Sequence, residues 1–197
     1  MDKKILITGI DLTGKTTLIE NFADELKKRG IDYRLNKSDL VKTTVYSLAK
    51  KLMDEKEDPL VINSLLFSTF FIDAEDYSPS DDILIQDSYF CRTIAYCDAF
   101  NVPYISEILR NHRFEFVGFD KVILLQSSFE SKINRNSREL DDMDKLLLTN
   151  PEITKIMETS LEQEIRKTYE DYITIDTSKN SINQVRDIAI KYCESIL

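Results

Sequence analysis

A glycine-containing segment near the start of the chain has the residue types and spacing needed to hold phosphate groups. Residues 9–17 match the pattern GxxxxGK followed by Ser or Thr, directly after the apolar run 5–7. In this pattern glycines let backbone N–H groups surround the phosphates, the lysine reaches the terminal phosphates and the hydroxyl ligates Mg²⁺. We therefore predict that Gly9 and Gly14 wrap phosphate, that Lys15 holds it and that Thr16 binds the metal.

The flanking sequence supplies the strand and the helix that such a loop requires. Residues 5–7 form a short buried strand, and residues 27–30 end the helix with cations followed by a glycine. Anions bind at the uncapped N–H groups of a helix N-terminus, so this context supports the phosphate loop. Apolar residues after the loop recur at helical spacing: Leu18, Ile19, Phe22, Ala23 and Leu26.

A carboxylate at the end of another apolar run is the second candidate group. Residues 83–86 predict a buried strand, and Asp87 follows it directly. A carboxylate at this edge of a phosphate-loop enzyme holds Mg²⁺ or its water shell. The alternative is that Asp87 only caps the next helix. We predict Thr16 and Asp87 as the metal ligands.

Short apolar runs separated by helical segments predict an α/β fold with a parallel, doubly wound sheet. Because the carboxyl ends of parallel strands share one edge, Lys37 and Asp39 are expected near the substrate. The helix bearing Phe67 and Phe71 is predicted to bury its aromatic side. Its exposed edge is able to stack on a base, so Phe67 and Phe71 are also candidate substrate-binding residues. The predicted strands are residues 5–7, 31–35, 83–86, 122–125 and 172–175.

Composition sets further bounds. The chain has 197 residues, 42% of them hydrophobic, which predicts one domain over residues 1–197 with a substantial core. A net charge of -9 opposes binding to nucleic acid or to an anionic membrane surface. Residues 1–4 lead straight into the first strand, and no apolar run approaches a membrane span. We therefore expect a cytoplasmic protein without a nucleic-acid or membrane partner.

Taken together, the motifs resemble those of the thymidylate kinase and deoxynucleoside kinase branch of P-loop kinases. Residues 9–17 are similar to that family's GxDGxGKST, and residues 65–67 match its LLF helix. Residues 87–89 resemble DRY, and residues 93–96 resemble the start of SxAYQ at the preserved spacing. The resemblance spans the whole chain and is specific at the phosphate loop and around Asp87.

This resemblance implies a three-layer sandwich, with a parallel sheet in the order 2-3-1-4-5 flanked by helices and a lid at about residues 131–150. It also implies ATP and Mg²⁺ as cofactors, a small-molecule phosphate acceptor and a possible homodimer. The residues expected to bind the donor are Gly9, Asp11, Thr13, Gly14, Lys15, Thr16 and Thr17.

The resemblance assigns further roles near the reacting phosphate. Position 12 is Leu, so the loop has no extra basic residue, and members of this type use a lid arginine. Arg135 or Arg138 is therefore expected to act with Lys15 and Asp87 in catalysis. Asp11 is expected to face the acceptor sugar. Tyr96, in the SxAYQ-like segment, is expected on the acceptor side.

The acceptor side departs from the family pattern. The family pairs the acceptor phosphate with arginines in REP, ADR and DRY motifs, and here these places hold Asn36 or Lys37, then Phe71, then Ser88. Lys37, Arg34 or Arg92 are candidates to replace them. Three functions therefore stay open: a nucleotide kinase using Asp11, Lys37 and Arg92, a kinase of a nucleoside or other small-metabolite hydroxyl with Asp39 as base, and a nucleotide-binding regulator without catalysis.

Overall fold

The computed structural model describes residues 3–55, 57–135 and 142–197. Across these residues runs a parallel sheet of five strands in the order β2-β3-β1-β4-β5. This confirms the predicted class, pairing direction and strand order. The strands are β1 Lys4–Thr8, β2 Tyr33–Lys37, β3 Ile83–Asp87, β4 Lys121–Gln126 and β5 Tyr172–Asp176.

Helices connect the strands and cover both faces of the sheet. Several begin where the sequence provides a cap: the side chain of Asn150 accepts a hydrogen bond from the N–H of Ile153, with Pro151 in the first turn. The helices are α1 Lys15–Lys28, α2 Thr44–Asp54, α3 Pro59–Asp76, α4 Phe90–Ala99, α5 Pro103–Asn111, α6 Phe129–Asn134, α7 Asp142–Thr149, α8 Pro151–Thr168 and α9 Ile182–Cys193.

Alternation along the central strands divides the core into two clusters. Leu6 and Leu84 face a cluster with buried residues from α3, α4, α5 and α8, whereas Ile7 and Ile85 face a cluster with α1 and α9. The inner strands are thus buried on both sides, which explains their continuous apolar sequences. The result is the expected three-layer sandwich.

The register of the strands brings the predicted polar groups to one edge. Asp87 pairs with Ile7 of β1 and with Lys37 of β2. The end of β2, the end of β3 and the loop after β1 are therefore neighbours. The predicted start of β2 was wrong by two residues, because the N–H of Ile31 donates to Leu26 O at 3.0 Å and so closes α1.

A buried carboxylate in α3 fixes the segment between β2 and α2. Asp73 is fully buried, and its Oδ1 accepts hydrogen bonds from the N–H groups of Leu40 at 3.0 Å and Val41 at 2.7 Å. Burial raises its pKa to about 6 from the ordinary 3.8, although these N–H groups act in the opposite direction. The charge of Asp39 adds to the increase.

Replacing Asp73 with asparagine is expected to remove a dependence of stability on pH. Since the folded carboxyl binds its proton more tightly than the unfolded one, the wild-type free energy of unfolding falls as pH rises from about 4 to about 6. The fall attributable to Asp73 is on the order of 2 kcal/mol. Urea unfolding at pH 4, 5, 6 and 7 measures it, with the exposed Asp76→Asn on the same helix as control. Equal pH slopes in wild type and Asp73→Asn would contradict the assignment.

Candidate nucleotide site

The loop after β1 has the backbone geometry of an anion cradle. Gly14 adopts φ 91° and ψ 17° at the start of α1, and no described side chain caps this helix. Its first N–H groups are therefore available to a ligand. A Cβ at Gly9 would lie 2.6 Å from both Leu125 O and Thr13 Oγ1, so only glycine fits there. The loop is thus packed tightly against the end of β4.

Replacing Gly9 with alanine is expected to displace the phosphate loop and weaken ATP binding at least about tenfold, with about 2 kcal/mol of lost stability. The cause is the contact of the added methyl group with the backbone of Leu125. Titration calorimetry and thermal unfolding measure both effects. Gly118→Ala is the control, because a Cβ there meets nothing within 4 Å. Unchanged ATP affinity in Gly9→Ala would show that this contact does not hold the loop.

Lys15 is a buried cation at the start of α1. Its Nζ donates to Ile10 O at 2.8 Å and lies 3.7 Å from Asp11 Oδ1. Burial and then the charge of Arg92 lower its pKa to about 8, while Asp11 and Asp87 partly offset this. The group is still mainly protonated at neutral pH. Because its ammonium group is shielded from solvent, it interacts strongly with an incoming phosphate.

Asp11, Arg92 and Tyr96 meet in one hydrogen-bonded network. Arg92 Nη2 donates to Asp11 Oδ1 at 2.5 Å and to the Tyr96 hydroxyl at 2.9 Å, and that hydroxyl donates to Asp11 Oδ2. Burial alone would raise the pKa of Asp11, but the charges of Arg92 and Lys15 and the Tyr96 hydrogen bond hold it well below its usual value. Asp11 is therefore an ionised anchor and a poor proton acceptor.

Thr16 and Asp87 line the same cavity, as the predicted metal site requires. Asp87 Oδ1 accepts from the Ser88 hydroxyl at 3.1 Å, and Lys37 Nζ lies 3.9 Å from Oδ2. The described residues contain no cluster of three metal-binding side chains. A hydroxyl and one carboxylate nevertheless fit Mg²⁺, which in such sites takes few protein oxygens and completes its shell with phosphates and water.

Arg135 lies directly against the phosphate loop. Its Nη1 donates to Thr177 Oγ1 at 2.9 Å and to Leu12 O at 3.3 Å, and its Nη2 donates to Thr177 O at 2.6 Å. Arg138, the other predicted lid arginine, lies outside the described residues. Of the predicted lid, α7 and the end of α6 are described, and Asp144 of α7 lines the cavity.

A cavity of about 890 Å³ extends from the phosphate loop between α2, α3 and α4. Lys37 and Arg92 line it as predicted, and Lys50 of α2 adds a cation that sequence reasoning missed. Residues 46, 50 and 53 are spaced so that they share one face of a helix. The sequence does not show that this face of α2 is the one that faces the site. Further lining residues missed from the sequence include Tyr46, Met53, Asn63, Leu66, Thr69, Phe70 and Asp144.

Among the described residues, five basic and three acidic side chains line this cavity. The cavity wall therefore carries a formal excess of two positive charges, in a chain whose net charge is -9. The acidic residues are Asp11, Asp87 and Asp144, and the basic residues are Lys15, Lys37, Lys50, Arg92 and Arg135.

The aromatic side of α3 packs into the core, as predicted, but the candidate substrate-binding residues Phe67 and Phe71 do not line the cavity. Phe71 packs edge to face on Phe116 with ring centroids 5.2 Å apart, and Phe67 packs on Phe71 at 6.2 Å. Leu66 and Phe70 line the cavity instead. Since one residue turns a helix by about 100°, an error of a single position exchanges the core face for the ligand face.

Asp39 is also turned away from the cavity. Its side chain is fully buried, and Oδ1 accepts from Lys42 Nζ at 3.2 Å. The preceding residue, Ser38, adopts φ 68° and lines the cavity in its place. The strand ends at Lys37, two residues later than predicted, and the left-handed turn that follows it directs Asp39 inward. Thr13 is likewise buried and donates its hydroxyl to Ile10 O at 2.8 Å, whereas Thr17 lines the cavity.

Comparison with known proteins agrees with this geometry. The sequence profile of the thymidylate kinase family matches residues 7–188. No curated protein sequence is significantly similar to the chain. Within the described ranges, no helix is both long and apolar enough to cross a membrane.

Two solved structures share the fold. Thymidylate kinase from Candida albicans superposes with a TM-score of 0.76 at 16% identity, covering 98% of this chain and 92% of that one. Deoxyadenosine kinase from M. mycoides, solved with products dCMP and a flexible dCDP bound, gives 0.65 at 16% identity, covering 98% and 100%. With the family match over most of the chain, the phosphate loop and its surrounding sheet place the protein in the thymidylate kinase family, as a phosphotransferase of the nucleotide and nucleoside kinase class.

Proposed function

We propose that the protein transfers the γ-phosphate of ATP to the phosphate of a nucleoside monophosphate, with Mg²⁺ as cofactor. The observation that carries this proposal is the positive wall of the cavity in a strongly acidic chain. Two bound phosphate groups place several negative charges in one cavity, and cations on its wall are needed to neutralise them.

On the donor side, the phosphate loop and Lys15 hold the ATP phosphates. Thr16 and Asp87 would hold Mg²⁺, which when bound neutralises charge on the β- and γ-phosphates. Arg135 lies beside the loop and stabilises the charge that develops on the transferred group. Little proton transfer by the protein is needed, since a monophosphate acceptor already carries a nucleophilic oxygen.

On the acceptor side, Lys37, Lys50 and Arg92 take the place of the three arginines that the family motifs would supply. They come from β2, α2 and α4, and all line the cavity. Lys37 Nζ lies 3.9 Å from Asp87 Oδ2, and Arg92 shares Asp11 with Lys15, so both cations lie close to the phosphate loop. Asp11 and Tyr96 hold Arg92 in this position.

A kinase of a nucleoside hydroxyl is the second candidate, because deoxyadenosine kinase from M. mycoides has the same fold over its full length. Such a reaction needs a carboxylate base at the acceptor. Asp39, the residue predicted for that role, is buried away from the cavity, and Asp11 is held in an ion pair with a lowered pKa. These observations favour the monophosphate. The intact set of Lys15, Thr16 and Asp87 likewise weighs against a regulator without catalysis.

Lys50 and its neighbour Lys51 provide a matched test of the acceptor side. Lys50 lines the cavity, whereas Lys51 ion-pairs with Glu55 at 3.7 Å on the same helix. Lys50→Met is expected to raise the KM for a nucleoside monophosphate about tenfold and to change the KM for ATP less than about twofold. ADP release in the presence of each monophosphate measures both. Lys51→Met is the control. Equal kinetics of Lys50→Met and Lys51→Met would remove Lys50 from the site. No ADP release with any monophosphate would overturn the proposed function.

A further inference from the structure

Thr177, the residue directly after β5, contacts three separate parts of the molecule. Its N–H donates to Gln126 O at the end of β4 at 2.8 Å. Its hydroxyl donates to Thr13 O in the phosphate loop at 3.0 Å and accepts from Arg135 Nη1 at 2.9 Å. Its carbonyl accepts from Arg135 Nη2 at 2.6 Å. The residue after the edge strand thus joins the end of β4, the phosphate loop and Arg135.

These contacts fix an arginine beside the point where phosphate binds. A Cβ at Gly14 would lie 3.7 Å from Arg135 Nη1, and Gly14 stands at the start of α1. The guanidinium is therefore next to the N–H groups that would hold the ATP phosphates. An arginine side chain has several rotatable bonds, and it loses rotamer freedom when it is fixed in one place. The two hydrogen bonds that Arg135 donates to Thr177 compensate part of this entropy cost before the substrate binds.

We propose that Thr177 is a positioning residue that holds Arg135 in its catalytic place. Thr177 is 8% exposed and does not line the cavity, so it acts through other groups. Its hydroxyl accepts from Arg135 and lies within donating distance of two carbonyl oxygens, Thr13 O at 3.0 Å and Gln126 O at 3.1 Å. The proposal rests on the function assigned above, in which Arg135 stabilises the transferred phosphate.

Removal of the hydroxyl with retention of the side-chain shape tests this role. Thr177→Val is expected to lower kcat about tenfold and to change the KM for ATP less than about twofold, since Arg135 acts mainly on the transition state. Thr177→Ser keeps the hydroxyl and is expected to stay within about threefold of wild type. Thr174→Val, the same substitution at an exposed position of β5, is the control and should behave as wild type.

A double-mutant cycle shows whether the Thr177 hydroxyl affects kcat through Arg135 or through the phosphate loop. In an Arg135→Met background, Thr177→Val is expected to cause no further loss of kcat, because the group that it positions is absent. The same tenfold loss in that background would show that the hydroxyl acts through Thr13 or Gln126 and not through Arg135, and it would overturn the proposal. Failure of Thr177→Ser to restore activity would also overturn it.

A crystal structure of Thr177→Val decides the question without turnover. Arg135 is expected to have left Leu12 O, and a retained contact would overturn the positioning role. If the wild-type protein transfers no phosphate to any monophosphate, the proposed function fails, and this structure still decides whether Thr177 positions Arg135. If Arg135→Met is inactive while Thr177→Val keeps full activity, the function stands and only the inference about Thr177 fails.

Discussion

Replacing Lys15 with methionine is expected to lower kcat at least about 1000-fold. Lys15 is the first residue of α1, and the ion pair of its buried amine with Asp11 at 3.7 Å keeps the amine within the phosphate loop. Methionine preserves the length of the chain and removes the charge. ADP release and ATP titration calorimetry measure the loss. Activity above about a hundredth of wild type would contradict the assigned role.

The same variant is expected to be more stable than wild type without ligand. Because the folded pKa of Lys15, about 8, lies below the ordinary 10.5, its charge costs stability at pH below 8, and this cost disappears as pH rises to about 10.5. Lys15→Met should therefore gain most at neutral pH in urea unfolding. Lys28→Met, at an exposed position near the end of α1, is the control and should change neither rate nor pH dependence. Such a gain would distinguish loss of chemistry from loss of fold.

Replacing Arg92 with methionine is expected to lower kcat/KM for the nucleoside monophosphate about 100-fold to 1000-fold. Arg92 is the least exposed of the acceptor-side cations and is oriented by Asp11 and Tyr96. Arg92→Lys should recover only part of the loss, since an ammonium cannot reproduce the planar fork of the guanidinium. Initial rates at varied monophosphate and varied ATP measure both constants. An effect confined to the KM for ATP would contradict the acceptor role.

Loss of Arg92 also leaves Asp11 without its strongest positive partner. The stability of the variant must therefore be measured alongside its activity. Asp11 keeps its ion pair with Lys15 at 3.7 Å, but a half-buried carboxylate that loses one partner is expected to destabilise the fold by about 1–3 kcal/mol. Arg92→Met combined with Asp11→Asn removes that charge and is expected to restore thermal stability without restoring acceptor affinity. Arg166→Met, at an exposed position of α8, is the surface control. Restored turnover in the double variant would show that Arg92 serves only to neutralise Asp11.

The phosphate loop was predictable because every determinant is local. A buried strand, two glycines, a lysine and an amphipathic helix follow one another within the first 30 residues, and the structure keeps that order as β1, loop and α1. The parallel sheet was predictable for the same reason, since its inner strands are short apolar runs between helices. Strand order came from the resemblance to a known family, and the pairing of Asp87 with Ile7 and Lys37 agrees with it.

The acceptor side was less predictable because it depends on helix phase and on one turn. Phe67 and Phe71 differ from the true lining residues Leu66 and Phe70 by a single position, and a composition rich in apolar residues on all sides of α3 does not choose between them. Asp39 is directed inward by the positive φ of Ser38. A left-handed serine has no reliable sequence signal.

Thr177 and Lys50 were missed for a different reason. Thr177 lies 164 residues from Thr13, and only the folded sheet brings them together. Lys50 is one of two lysines on α2, and the packing of that helix against α3 selects the one that faces the cavity. Such choices are made by tertiary contacts, which a single sequence does not display.

Phosphorus NMR of the products formed from ATP, Mg²⁺ and deoxynucleoside monophosphates tests the central claim most directly. For at least one monophosphate we expect its own phosphate signal to disappear in step with the γ-phosphate signal of ATP, and both signals to persist with Lys15→Met. The matching nucleosides, tested in parallel, should give no monophosphate. Phosphorylation of the nucleosides alone, or no transfer from ATP to any monophosphate, would contradict the account.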